Sequence, residues 1–151
     1  MGGTMAHFIN SECVGCGACK RVCPVACIEG SAKQLHVIDA AHCIDCGACG
    51  IVCPVSCIED AKGHRYQFLK PKERPWAEVE QELCSGCQYC VDICPFHCLE
   101  IEATAGEGYA TALAFNAHPN QCATCKLCVQ ICPKETIHIA YPDAGGDRKR
   151  A

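Results

Sequence analysis

The sequence of 151 residues predicts an α+β fold in two tandem units, each made of short strands and short helices. Three observations carry that expectation. One spacing, C-x2-C-x2-C-x3-C-P, occurs four times, beginning at Cys13, Cys43, Cys84 and Cys122. The first two copies start 30 residues apart, the period of an internally duplicated unit. Finally, half of the residues are hydrophobic, but 19 of these are cysteines; without them the apolar share falls to roughly 37%, thin for a chain of this length. The length suits one ordinary domain or two very small ones, and the repeats decide for two. Something other than side chains must complete each core.

Residues 6 to 9, Ala-His-Phe-Ile, read as a short strand, and residues 17 to 23 as one short helix stopped by Pro24. Residues 27 to 30 turn the chain, and residues 35 to 39 return it as a strand into the second run. There the pattern repeats, with a helix over residues 47 to 53 and a closing strand near Ile58. Residues 60 to 76 break it with two prolines, six Lys, Arg or His and three aromatics. They predict a basic linker whose Tyr66, Phe68 and Trp76 pack over a domain face, with a segment that docks an acidic partner as the alternative. The second unit opens with a strand over residues 77 to 80, inserts residues 103 to 108, resumes as a strand over 109 to 115 and closes with one over 136 to 141. The predicted organisation is residues 1–60, a linker 61–76, residues 77–141, and a mobile tail 142–151.

Sixteen of the 19 cysteines fall in the four runs, and 19 is odd, which disfavours a disulfide framework of the small secreted kind. The amino terminus lacks the charged segment and apolar run of a signal peptide, and no stretch approaches the roughly 18 apolar residues needed to cross a bilayer. The expectation is a soluble cytoplasmic chain, not inserted in a membrane, with its thiols kept reduced. Zinc fits any C-x2-C, but tetrahedral sites draw on two separated pairs and leave no use for a third cysteine six residues on.

The runs resemble those of bacterial two-cluster ferredoxins, in which three closely spaced thiolates hold one 4Fe-4S cluster and the fourth reaches across to the other. The closest likeness lies in residues 5 to 60, through Cys13, Cys16, Cys19 and Cys23-Pro24, then Val37-Ile-Asp-Ala-Ala-His-Cys43, Cys46 and Cys49; residues 78 to 140 carry the ligand pattern with looser flanks. The resemblance implies two tandem βαββαβ ferredoxin-like units and four [4Fe-4S] clusters. It assigns cluster one to Cys13, Cys16, Cys19 and Cys53, and cluster two to Cys43, Cys46, Cys49 and Cys23. Cluster three takes Cys84, Cys87, Cys90 and Cys132, and cluster four takes Cys122, Cys125, Cys128 and Cys94. The formal charge of −4 counts cysteines as neutral. Four loaded clusters of about −2 each take it to roughly −12, which excludes nucleic acid and favours a basic docking surface on a redox partner.

Three cysteines are spare, Cys27, Cys57 and Cys98, each four residues past a crossing cysteine, where the fourth run has Thr136. Periodic recurrence predicts a common buried place beside each cluster, with a sharper reading in which these thiols bond to cluster sulfur or replace a lost ligand. Gly17 and Gly47 have counterparts in Gln88 and Lys126; a cation at Lys126 is expected to ease reduction of cluster four. His7 and His36 stand where related small ferredoxins carry an aromatic ring near each cluster, which would couple potential to pH.

The function implied by the resemblance is low-potential single-electron transfer without catalysis of its own. The chain has no G-x-G-x-x-G and no P-loop, so it needs a catalytic partner carrying flavin, molybdenum or tungsten, or another redox centre. Similar four-cluster subunits accompany formate dehydrogenases, hydrogenases and tungsten aldehyde oxidoreductases. Self-association into a wire-like filament extends the same idea. The alternatives are a free-standing polyferredoxin and a redox sensor using the spare thiols.

Overall fold

The computed structural model describes residues 6–106 and 109–142. The expected tail therefore lies, but for its first residue, outside the described residues, as do residues 107 and 108 of the expected insertion. The chain divides after Lys70 into two compact units. The first contains β1 (Phe8–Ile9), α1 (Ala18–Val22), β2 (Ile28–Glu29), β3 (Val37–Ile38), α2 (Ala48–Val52) and β4 (Ile58–Glu59). The second contains β5 (Trp76–Val79), α3 (Tyr89–Ile93), β6 (Leu99–Gly106), β7 (Tyr109–Asn116), α4 (Leu127–Ile131) and β8 (Ile137–Ala140). It is a small mixed structure of short helices and strands.

Each helix is five residues long, too short to persist alone in water, and both its ends are set by backbone chemistry. At the C-terminal end Cys23, Cys53, Cys94 and Cys132 adopt extended ψ values of 109° to 114°, because the following proline crowds the α region of the residue before it. At the N-terminal end stands a left-handed residue, Gly17, Gly47, Gln88 or Lys126, with φ between 64° and 80°. Glycine accepts that conformation freely, whereas Gln88 and Lys126 bear its steric cost.

In each unit the first strand pairs antiparallel with the last. Ile9 faces Ile58 across β1 and β4, and Val79 faces Ile137 across β5 and β8. The middle strands pair with each other, Ile28 with Ile38 and Leu99 with Asn116. Each strand contributes one buried residue among those described: Ile9, Ile28, Ile38 and Ile58 in the first unit, Ala77, Leu99, Ala114 and Ile137 in the second. Apart from these, the two cores are made chiefly of cysteine. Residues 28 and 29, expected as part of a turn, form β2 because β3 offers them a ladder. Residues 103 to 106, expected as an insertion, continue β6 for the same reason, opposite β7.

The expected linker is two segments with separate allegiances. Residues 61 to 70 pack on the first unit: Tyr66 N–H donates to the Ile58 carbonyl at 2.9 Å and Leu69 N–H to that of Ile51 at 2.9 Å. Arg65 pairs with Glu12 at 2.7 Å. The Tyr66 ring lies where a side chain at residue 50 would be, so Gly50 in α2 makes room for it. Phe68 stays 40% exposed, and Trp76 is the first residue of β5. Composition predicted that Tyr66 packs over a domain face, as it does, but not which residues it meets.

Replacing Gln88 by Gly is expected to stabilise the protein by about 0.5–1 kcal/mol, the left-handed penalty less the extra unfolded-chain entropy of glycine. A rise in the guanidinium midpoint of the loaded protein checks it.

Candidate metal centres

Four small cavities bordered by cysteines lie in the two units, two in each. The first is bordered by Cys13, Cys16, Cys19 and Cys53, with Ile9, Val14, Val55 and Ile58 as apolar wall. Cys43, Cys46, Cys49 and Cys23 border the second, with Ile28, Ile38 and Ile44. Cys84, Cys87, Cys90 and Cys132 meet at the third, and Cys122, Cys125, Cys128 and Cys94 at the fourth. In every case three of these cysteines come from one run and the fourth from the other run of the same unit, and Cys57, Cys27 and Cys98 also line the first, second and fourth cavities.

The pairing of first strand with last explains this crossing. β1 leads into Cys13 while β4 follows Cys53, so their ladder holds those two ends of the runs together. The β2–β3 ladder does the same for Cys23 and Cys43, and Asp39 N–H closes it on the Cys27 carbonyl at 2.7 Å. α1 packs against α2, and α3 against α4, which brings the third cysteine of each run inward: Cys19, Cys49, Cys90 and Cys128 are all buried.

Left-handed backbone recurs at three places in every run. The residue before the second cysteine is Gly15, Asp45, Gly86 or Thr124; the residue opening the helix is described above; and the residue three past the crossing cysteine is Ala26, Ser56, His97 or Glu135. Such turns aim peptide N–H groups into a concavity that favours anions. Here they reach sulfur: Gly15 N–H lies 3.4 Å from Cys13 Sγ, and Gly86 N–H 3.4 Å from Cys84 Sγ. At two of these places the glycine is also sterically required, since a side chain at Gly15 would enter the Gln34 backbone and one at Gly86 the Ala112 carbonyl.

Burial pushes the Cys19 and Cys90 thiols up to about 11 and the Cys128 thiol to about 12. Cys94 and Cys122 move the other way, to about 5 and about 6, chiefly because the neighbouring Cys98 side chain favours their thiolates. The spare cysteines sit between two members of a set. The Cys27 thiol is raised to about 12, first by burial and then by Cys23 and Cys43; the Cys57 thiol is raised to about 12 in the same way beside Cys53 and Cys13. Their recurrence in the sequence pointed to this shared place. The histidine rings border the cavities in crossed fashion as well. His36, although nearer Cys43 in the chain, lines the cavity of Cys13, and His7, nearer Cys13, lines that of Cys43. His7 Nε2 lies 2.8 Å from the Tyr66 hydroxyl and its Nδ1 2.9 Å from the Asp45 carboxylate. Lys126 borders the fourth cavity. Spacing gave no hint of Tyr66, whose contact depends on the fold of residues 61 to 70.

Among the described residues no three His, Cys, Asp or Glu side chains are placed to share a single metal ion; the sulfurs of each set border a volume. Four thiols, apolar walls and peptide donors aimed at sulfur fit an iron–sulfur centre, for which soft thiolate ligands and N–H bonds to sulfur are the governing features.

The 4Fe-4S dicluster domain family matches residues 12–57 and 83–136. Over 26 residues the chain is 62% identical to the NADP-reducing hydrogenase subunit HndC of Solidesulfovibrio fructosivorans, a stretch that is 17% of this chain and 5% of that subunit. A chain of the formate dehydrogenase, heterodisulfide reductase and formylmethanofuran dehydrogenase complex from Methanospirillum hungatei is similar over 87% of this chain and 53% of its own length, at 22% identity and a TM-score of 0.37. No helix among the described residues is long and apolar enough to cross a membrane.

Gly86→Ala should cost the second unit its metal, lowering iron content by about half, since folding and loading are coupled there. Gly63→Ala, also at positive φ but with open space around it, serves as the control and should keep full iron.

Proposed function

Because the chain belongs to the 4Fe-4S dicluster domain family, we propose that it is a non-catalytic electron-transfer subunit of a larger oxidoreductase, built as two tandem ferredoxin-like units that hold four [4Fe-4S] clusters. When bound, each cluster supplies one low-potential, one-electron couple. The ligand sets are those meeting at the four cavities, with Cys53, Cys23, Cys132 and Cys94 as the crossing members. What carries this reading is the composition of the cavity walls: each joins the first three cysteines of one run to the crossing cysteine of its neighbour, and at three of the four a spare cysteine, Cys57, Cys27 or Cys98, stands beside the crossing one.

The protein's own residues divide the work. The strand isoleucines exclude water from the first and second sets, and the left-handed turns supply N–H donors that offset the negative charge of the thiolates. Cys16 and Cys87 are exposed, whereas Cys125 is buried. The first and third sets therefore present a sulfur to the surface, within reach of a partner's redox centre. The chain needs such a partner, one carrying flavin, molybdenum or tungsten, or another centre able to exchange single electrons. The local likeness to a hydrogenase subunit supports a hydrogenase-type complex among the choices. The proposed compartment is the cytoplasm, where thiols stay reduced for assembly.

Thiol sensing is less well supported. Cys27, Cys57 and Cys98 are at most 6% exposed, and raised thiols away from solvent react poorly with oxidants.

Anaerobically loaded protein should contain about sixteen iron atoms per chain, four for each set of four cysteines. Cys53→Ala should disturb loading in the first unit and leave the sets at Cys84 and Cys122 filled. About eight iron atoms, or zinc in their place, would overturn the four-cluster assignment. Native protein migrating alone on size exclusion would turn the subunit into a free carrier.

A further inference from the structure

Each run ends in the same device, four residues beyond its crossing cysteine. The left-handed residue just before that place turns the next N–H back on sulfur: Cys27, Cys57 and Cys98 N–H each lie 3.4 Å from the Sγ of Cys23, Cys53 and Cys94. At three of the four runs the side chain of the residue four places on approaches the sulfur too. Cys27 Sγ lies 3.4 Å from Cys23 Sγ, and Cys57 Sγ 3.4 Å from Cys53 Sγ. In the fourth run the group is a hydroxyl, Thr136 Oγ1, 3.4 Å from Cys132 Sγ. Cys98 differs again, with its thiol 3.8 Å from the Phe96 carbonyl.

We propose that Thr136 is a positioning residue that sets the Cys84, Cys87, Cys90 and Cys132 centre apart: its hydroxyl donates to Cys132 Sγ and makes that centre easier to reduce than a thiol at the same place would. The inference rests on the ligand sets proposed above. An O–H is a stronger donor than an S–H, and a bond to a thiolate is charge-assisted. Reduction adds one electron from an external low-potential reductant, breaks no bond and increases the negative charge on the sulfurs. A donor to sulfur therefore favours the reduced state, one of the levers by which proteins set such potentials.

The surroundings make the hydroxyl effective. Thr136 is 2% exposed, so the bond acts in a low-dielectric setting. Its carbonyl accepts from Glu80 N–H at 2.8 Å, which ties it to the end of β5, and its branched side chain has few rotamers. The hydroxyl borders the cavity of Cys84 and Cys132 and pairs with sulfur. Leaving it unpaired there would carry a desolvation cost.

The test is a redox titration of the fully loaded chain, followed by low-temperature electron paramagnetic resonance, with iron counted in every sample. Thr136→Val, which keeps shape and removes the donor, should move one centre to lower potential and leave the other three in place. Thr136→Cys should move the same centre in the same direction by less, and Thr136→Ser should restore it. The converse variant, Cys57→Thr, should raise the potential of one centre in the first unit. It also keeps the idea testable if Thr136→Val fails to load. Full iron with no shift in Thr136→Val, or no shift in a loaded Cys57→Thr, would overturn the role of the hydroxyl. A wild-type iron count near eight would instead overturn the ligand sets beneath it.

Discussion

The structure depends on one constraint: no set of four thiols is complete within its own run. Cys53 must reach the Cys13 cavity while Cys23 reaches that of Cys43, and the same exchange joins Cys132 and Cys94 in the second unit. That exchange explains the pairing of first strand with last and the packing of helix on helix. It also explains why helices of a single turn persist. With one fully buried apolar residue per strand among those described, the hydrophobic core of each unit is small. On the proposed function, metal loading contributes folding energy directly, and each pair of runs is expected to fold as one event.

Backbone conformation is the second shared feature. The same three left-handed places recur in all four runs, although the residues there range from glycine to Asp45, Thr124, Gln88, Lys126 and Glu135. A geometry kept across such different side chains is imposed by the site, since most of these residues prefer other conformations. At Gly15 and Gly86 neighbouring backbone leaves no room for a side chain. The two units meet one demand with different local chemistry, and Thr136 in place of a thiol is part of that divergence.

Much of the site was legible in the sequence, because ligand spacing is a short-range property. The periodicity of Cys27, Cys57, Cys98 and Thr136 also announced a common place. The long-range features were harder. Residues 28 and 29 form a strand because β3 lies beside them, and 103 to 106 do so because β7 does. Residues 61 to 70 looked like a linker because their composition is polar and aromatic. Their role in the first unit depends on Tyr66 meeting His7 and Gly50, which are 59 and 16 positions away. The crossing of His7 and His36 was equally hidden, since each ring lies beside the cavity whose first cysteine is farther along the chain.

By itself the sequence determined the inventory: four runs, sixteen cysteines in ligand register, a proline after each fourth cysteine, and a donor-bearing or spare residue four places on. Those features are encoded over a few residues, where covalent geometry leaves few choices. Only the tertiary structure decided which sulfurs share a cavity with Tyr66 and His7 nearby, which cysteines reach the surface, and where the chain divides. Such relations depend on strands and loops meeting across 49 to 64 residues. Local spacing carries no record of those meetings until the chain has folded around its sulfurs.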